Sequence, residues 1–232
     1  MKPMMKIAID GPSGSGKSTL AKNLAESLNC KYLDTGALYR TVGLYIFREK
    51  INYYDAEKIR AALNDIHIEI EYDNFSQIMF LNGKNVTAEI RGNEISQYAS
   101  AVSAIPEVRN FLLDIQRKTA YNYNIIMDGR DIGTVIMPDA QVKIFLQAGV
   151  EERAKRRYEE LKIKGQNVIY ENILKEIEER DKNDSSRNVA PLVPAQDAVI
   201  INNSDMTETQ TLNTVLKIVR EKFGANEKQN DT

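Results

Sequence analysis

A glycine-rich turn between an apolar strand and a helix constrains this chain more than any other stretch. Ile7-Ala8-Ile9-Asp10 runs into Gly11-Pro12-Ser13-Gly14-Ser15-Gly16-Lys17-Ser18-Thr19. The turn fits G-x-x-x-x-G-K-[ST], with Gly11, Gly16, Lys17 and Ser18 in register. Its glycines can take backbone angles closed to other residues, so successive N–H groups can point into one concavity. A helix starting at about Lys17 adds roughly half a positive charge there, which favours phosphate. Lys17 is in reach of the β- and γ-phosphates, and the Ser18 hydroxyl can complete the shell of a Mg²⁺ ion. The stretch predicts a nucleoside triphosphate site on an α/β sheet.

Length and composition set wider bounds. A chain of 232 residues can bury a full core and carry one inserted subdomain. A formal net charge of -2 argues against non-specific binding along nucleic acid, though not against a local basic cleft. Cys30 is the single cysteine, so no internal disulfide or cysteine-based zinc site is available, and a buried or half-exposed free thiol is expected. No run approaches the ~18 apolar residues of a membrane helix. Residues 1–6 are too short for a signal peptide, because the strand begins at once. A cytoplasmic monomer is expected, with small-molecule partners and neither nucleic acid nor membrane.

Leu20, Leu24 and Leu28 recur at helical spacing with Ala21 and Ala25 beside them, an amphipathic helix for the first strand. Lys31-Tyr32-Leu33 reads as a short strand, and Asp34 or Thr35 can cap a helix carrying Leu38, Val42, Leu44 and Ile46. Arg40, on its first turns, is either solvated or aimed at a second phosphate near the loop. From Asn64 the period changes. Ile66, Ile68, Ile70 and Tyr72 alternate with His67, Glu69 and Glu71, a half-buried strand. Residues 77–81 make another strand, and Asn82-Gly83 is a hairpin turn into Lys84-Asn85-Val86. Residues 60–104 therefore read as an inserted lobe with an antiparallel meander. The sole histidine, His67, falls on the polar side of its strand, where it is expected to be solvated.

Ile105-Pro106-Glu107 opens a helix with proline in its first turn. Val108, Leu112 and Ile115 mark one face, and Arg109 stands at its edge, able to project toward a cleft. Asn124-Ile125-Ile126-Met127-Asp128-Gly129-Arg130-Asp131 follows, a buried strand ending in two acids and an arginine. Ligands of open α/β sheets gather beyond the carboxyl ends of the strands, and Asp128 is placed to order Mg²⁺ through water. Residues 142–146 form a further parallel strand. Between Gly149 and Gly165, spacings of three and four put Arg153, Arg156 and Arg157 on one helix face among Glu151, Glu152, Glu159 and Glu160. They form either a solvated, self-paired helix or a lid that closes over the triphosphate. A second helix over 169–180 leads into Asp181-Lys182-Asn183-Asp184-Ser185-Ser186-Arg187, read as a ligand-facing loop before Pro191-Leu192-Val193-Pro194. Residues 198–202 are the last strand. Thr207 starts a closing helix, and the polar tail from Gly224 is expected to fray.

Four motifs, Gly11 to Thr19, Leu33-Asp34-Thr35-Gly36-Ala37-Leu38-Tyr39-Arg40, Asp128-Gly129-Arg130-Asp131-Ile132-Gly133-Thr134 and Pro191-Leu192-Val193-Pro194-Ala195, fall in order with family-like spacing. On these the chain resembles the bacterial cytidylate kinases over nearly its whole length, meander included. The resemblance implies an α/β P-loop NTPase fold: a parallel sheet core flanked by helices, with an inserted small antiparallel-β and helical acceptor-binding lobe and a helical lid. It divides the chain into core at 1–35, acceptor lobe at 36–104, core at 105–150, lid and sugar-contacting loop at 151–187, and core at 188–232. The implied reaction moves the γ-phosphoryl of ATP to CMP or dCMP with Mg²⁺ as cofactor.

By the same resemblance, residues 11–19 hold ATP, and Ser100, Arg109 and Asp131 read the cytosine. Arg40 and Arg130 hold the acceptor phosphate with Thr35 close by, and Arg180, Asp184 and Arg187 surround sugar and phosphate. Lys17, Arg130, Arg153, Arg157 and Asp128 serve catalysis, with Ser18 at the metal. A carboxylate at Asp131 suits the exocyclic amine of cytosine and disfavours the carbonyl of uracil. Two stretches depart from the family pattern. Asn202-Asn203-Ser204-Asp205 stands where an aspartate and small hydroxyl residues are expected near the adenine, and Ser185-Ser186 stand where charged residues are common. The nearest alternative is a P-loop kinase acting on shikimate or dephospho-coenzyme A, against which stand the insert and Arg130-Asp131. A GTPase would need N-K-x-D, which Asn202-Asn203-Ser204-Asp205 lacks, and a nucleic-acid motor would need a basic track.

Overall fold

The structure is a computed structural model that describes residues 4–163 and 165–229, with Asn93 and residues 225–229 as backbone only. Strand β1 (Lys6–Asp10) leads through the glycine loop to helix α1 (Lys17–Leu28), which ends where Asn29 turns left-handed at φ 53°. After β2 (Lys31–Asp34), the Asp34 side chain accepts from the Ala37 N–H and caps α2 (Thr35–Arg48). Helix α3 (Ala56–Ala62) precedes the meander of β3 (Ile68–Asp73), β4 (Ser76–Leu81) and β5 (Lys84–Asn85). Asn82 and Gly83, at φ 49° and 74°, make the left-handed pair that its hairpin needs. Helices α4 (Asn93–Val102) and α5 (Pro106–Asn122) return the chain to β6 (Ile125–Gly129) and β7 (Val142–Gln147). The hairpin of α6 (Val150–Ile163) and α7 (Tyr170–Ser185) precedes β8 (Val199–Asn202) and α8 (Glu208–Gln229).

The five-stranded parallel sheet has the order β2-β6-β1-β7-β8. Register pairs Asp10 with Gly129 and Asp34 with Asp128, so the carboxyl ends of three strands meet at one edge. The chain leaves β1 on one side for β2 and passes to its other side at β7. Such a reversal is where open α/β sheets hold ligands.

Alternation along β1 feeds two cores. Ile7 and Ile9 pack with Leu20 and Leu24 of α1 and with Val215 and Val219 of α8. Ala8 faces the other way, among Leu38 and Val42 of α2, Val102 of α4 and Leu112 of α5. The meander's Ile68, Met79 and Leu81 continue this second core. Helices α2 and α4 approach closely at Gly43, where a β-carbon would sit 2.9 Å from the Ala99 nitrogen. The α6–α7 hairpin packs on Ala154, Leu161, Ile173 and Ile177, a small core of its own.

Two expectations are corrected. The polar run from Asp181 is not a loop: α7 stays helical to Ser185. Asp181 and Asp184, one turn apart, each meet an arginine from elsewhere, and these pairs outweigh the local turn preference of Asp, Asn and Ser. The stretch from Gly224 is not separate from the closing helix, since α8 runs on to Gln229. One glycine costs a helix only about 1 kcal/mol, and Ala225, Glu227, Lys228 and Gln229 are good helix formers. Residues 1–3, Lys164 in the arginine-bearing stretch, and residues 230–232 of the tail lie outside the described residues. Cys30 is a buried free thiol, and His67 is exposed beside Glu69. Thr207 and Gln210 form a reciprocal capping box at the start of α8.

Candidate active site

The loop after β1 is shaped by close approach. A β-carbon on Gly11 would lie 2.1 Å from the Leu146 carbonyl oxygen, and Gly16 enters α1 at φ 85°. Three of the loop's carbonyls are tied down, two of them from outside. Arg153 donates to Ser13 O at 2.9 Å, Asn203 Nδ2 to Ser15 O at 3.0 Å, and Lys17 Nζ to Pro12 O at 3.0 Å. That arrangement leaves the N–H side of the loop for an anion. Burial first, and then the Arg130 charge, bring the Lys17 ammonium down to about 7.

At the first turn of α1 the Ser18 hydroxyl donates to Asp128 Oδ2 at 2.7 Å, while the Tyr32 hydroxyl donates to Asp128 Oδ1 at 2.8 Å. Burial, followed by Asp34, raises the Asp128 carboxyl above its ordinary value. Thr35 Oγ1 donates to the Asp128 carbonyl at 2.7 Å, across a gap that only glycine at 129 allows. The buried Asp34 draws Arg40 (3.3 Å) from α2 and Arg91 (2.8 Å) from the insert. These arginines outweigh burial and hold its carboxyl below the ordinary range. Gln77 of β4 braces the same residue, accepting from Asp34 N–H at 2.7 Å.

A second cluster lies under α7. Arg130 Nε donates to Asp184 Oδ2 at 2.6 Å, and Arg187 meets the other oxygen. These pairs overcome burial and depress the Asp184 carboxyl. Arg180 makes no hydrogen bond or ion pair among the described residues, and burial followed by repulsion from Arg130 lowers it to about 10. Beyond it, the buried Arg109 pairs with the buried Asp131, lies 5.6 Å from the Tyr39 ring centroid, and donates to Ser103 O at 3.2 Å. Arg187 reaches Ser103 Oγ at 3.2 Å.

Most residues named from the sequence are thus brought together: the loop 11–19 with Asp128, Thr35 and Arg40, then Arg130, Arg180, Asp184 and Arg187, then Arg109 and Asp131. Ser100 joins only through its carbonyl, which accepts from Ser103 Oγ. The arginines of α6 divide. Arg153 turns inward onto the loop and Asp181, and Arg156 donates to the Asn203 and Ser204 carbonyls. Arg157 turns outward to Glu160 and is not brought to the site. Sequence reasoning missed Tyr32, Arg91, Ser103 and Gln77 as site residues, and no local pattern marks them. Asn203 was flagged only as a departure.

A Mg²⁺ ion is what such a loop implies, and the donor set suits one. The Ser18 hydroxyl and Asp128 carboxylate are hard oxygens meeting beside the anion nest. Among the described residues no group of three His, Cys, Asp or Glu could hold a metal. A cation here would complete its shell from water and phosphate, as Mg²⁺ does. No helix among the described residues is long and apolar enough to cross a membrane.

Comparison with known proteins agrees with this geometry. The family model described as cytidylate kinase matches residues 7–221. A protein named cytidylate kinase from Fervidobacterium nodosum is 50% identical over 217 residues, 94% of this chain and 97% of that one. Others of that name are 49% identical in Caldanaerobacter subterraneus, covering 93% of this chain and 95% of that one, and 44% identical in Fusobacterium nucleatum, covering 91% and 95%. A crystal structure of an uncharacterized protein from Eubacterium ventriosum shares the fold, with a TM-score of 0.51 at 14% identity over 94% of this chain and 99% of that one. With the family model running from β1 into α8 and half the residues shared with a full-length relative, this chain belongs to the cytidylate kinase family.

Proposed function

We propose that the chain is an ATP-dependent kinase that transfers the γ-phosphoryl group of ATP to CMP or dCMP, giving ADP and CDP or dCDP. The observation that carries this reading is the excess of cations between the phosphate loop and the Arg109–Asp131 pair. Lys17, Arg40, Arg130, Arg180 and Arg187 gather there against fewer acids, and Lys17 and Arg180 are depressed partly by Arg130. Mutual repulsion of that kind is relieved by a dianionic phosphate.

In this reading residues 11–19 hold the triphosphate, and Lys17 neutralises charge on its β- and γ-oxygens. Arg40, Arg130 and Arg180 hold the acceptor phosphate, whose oxygen attacks the γ-phosphorus as the β–γ bridging bond breaks. That oxygen is ionised near neutral pH, so no strong general base is needed. Catalysis rests on in-line positioning and charge neutralisation. Asp131 accepts from the cytosine amine, Arg109 fixes Asp131 and donates to the base, and Ser100 closes the pocket. Asp184 accepts from the sugar hydroxyls beside Arg187. Residues 36–104 form the acceptor lobe and 151–187 the lid, whose Arg153 bears on the loop and whose Arg157 turns inward on closure. Ser18, with Asp128 through water, would hold a Mg²⁺ ion, which would supply charge neutralisation on the triphosphate.

The test is ADP release with Mg-ATP across CMP, dCMP, UMP, AMP, GMP and shikimate. Strong stimulation by CMP and dCMP with UMP well behind is the expected result. Stimulation by none of them would leave the triphosphate site and remove the acceptor assignment.

A further inference from the structure

Asp10 closes the motif strand, and the functions above make no use of it. The residue is only 4% exposed, yet both carboxylate oxygens are engaged. Oδ1 accepts from the Ile132 N–H and Oδ2 from the Gly133 N–H, each at 2.8 Å. Those two amides open the π-helical turn Ile132–Ile136, directly after Arg130 and Asp131. On its other side Asp10 adjoins Gly11, which is wedged against the Leu146 carbonyl. One carboxylate therefore spans from the root of the phosphate loop to the turn that carries two acceptor-side residues.

The turn is gripped from both sides. A β-carbon on Gly133 would lie 3.2 Å from Lys143 Cδ and 3.4 Å from Asp10 Oδ2. The Lys143 stem is itself fixed, its ammonium donating to Pro138 O at 2.7 Å and Asp197 at 2.8 Å. Burial pushes the Asp10 carboxyl up to about 6 in spite of the two N–H donors. An acid maintained in such a place is explained by what only it supplies. A carboxylate offers two acceptors to two parallel N–H groups, whereas an amide offers one acceptor and one donor.

We propose that Asp10 is a positioning residue that sets the spacing between the phosphate loop and the turn bearing Arg130 and Asp131, and so the alignment of donor and acceptor phosphates. The inference rests on the acceptor-side roles given to Arg130 and Asp131 above.

Asp10→Asn in the full chain tests it, with ADP-release kinetics on CMP and UMP, amide hydrogen exchange over 129–136, and thermal unfolding in parallel. The expected result is a kcat with CMP lowered about tenfold or more, since small misplacements of reacting groups cost that much. The CMP-over-UMP preference in kcat/KM falls with it, KM for ATP stays unchanged, and the Ile132 and Gly133 amides exchange faster. A merely structural role would lower the unfolding midpoint while leaving the CMP-over-UMP ratio and the KM values of the folded enzyme at wild type, and that result overturns the proposal. Unaltered exchange at both amides overturns it too. If Asp10→Asn does not fold, Gly133→Ala moves the turn off an intact carboxylate and should show the same pattern in milder form.

Asp131→Ala separates this inference from the reading on which it rests. Lost discrimination in Asp131→Ala, with wild-type kcat, ratio and exchange in Asp10→Asn, leaves the base reading standing and sinks the coupling. Unchanged discrimination in Asp131→Ala, with faster exchange and lower kcat in Asp10→Asn, does the reverse.

Discussion

At Asp131 a single carboxylate is asked to tell an amine from a carbonyl. Its Oδ2 accepts from Arg109, and no donor among the described residues meets its Oδ1. Asp131→Ala should cost CMP about 1–3 kcal/mol in kcat/KM relative to UMP, with ATP affinity little changed. Equal losses for both pyrimidines would show that Asp131 does not read the base. Lys17→Ala should remove turnover while equilibrium dialysis still shows CMP bound; normal turnover in that variant would sink the role given to the loop. Asp184 makes a prediction about pH. Its carboxyl is depressed because Arg130 and Arg187 outweigh burial, so its contribution to stability is present above the ordinary carboxylate value and is lost as pH falls through its own lower one. Asp184→Asn should lower unfolding free energy at neutral pH by about 3–5 kcal/mol, because it leaves buried arginines uncompensated. Urea unfolding at neutral and strongly acidic pH checks this, since the difference between the proteins should shrink in acid.

Among the elements, those with a clear period were legible and those held by distant charge were not. The meander follows from alternation along β3 and from Asn82-Gly83 between β4 and β5, and α1 and α5 follow from their apolar spacing and from Pro106. The last turn of α7 was not legible, because its Asp and Ser residues favour turns locally while Arg130 and Arg153, far off in the chain, hold them in a helix. The π-helical turn after Asp131 was hidden for the same reason, since its first amides are satisfied by Asp10. Close packing of α2 on α4 yields a test at this scale. Gly43→Leu would thrust a side chain against Tyr98 and Ala99. It should destabilise the protein by about 1–3 kcal/mol and raise KM for CMP through displacement of α4 and Ser100, with KM for ATP unaffected. A parallel rise in both KM values would mean that the acceptor lobe does not act alone.

For the molecule as a whole, the division of apolar packing bears on motion. The α6–α7 hairpin has its own small core and meets the body mainly through Arg153, Arg156, Asp184 and Arg187. Polar contacts of this kind open at low free energy. Amide exchange in α6 and α7 should therefore be faster than in β1 and β6 in the free protein, and should slow when ATP and a CMP analogue are bound together. Slowing by either nucleotide alone to the same extent would argue against joint closure.

The sequence by itself determined the phosphate loop, the alternation of strands and helices, the antiparallel meander and the strand-end acids. Each of these is written in spacing over a few residues, where backbone geometry and hydrophobic period act directly. Tertiary structure alone decided which side chains meet: Asp10 with Ile132 and Gly133, Tyr32 with Asp128, Arg91 and Gln77 with Asp34, Asn203 with Ser15. It also decided that Arg153 turns inward while Arg157 turns out. Partners tens to hundreds of residues apart are chosen by strand register, turn geometry and buried charge balance, and none of these has a local pattern to read.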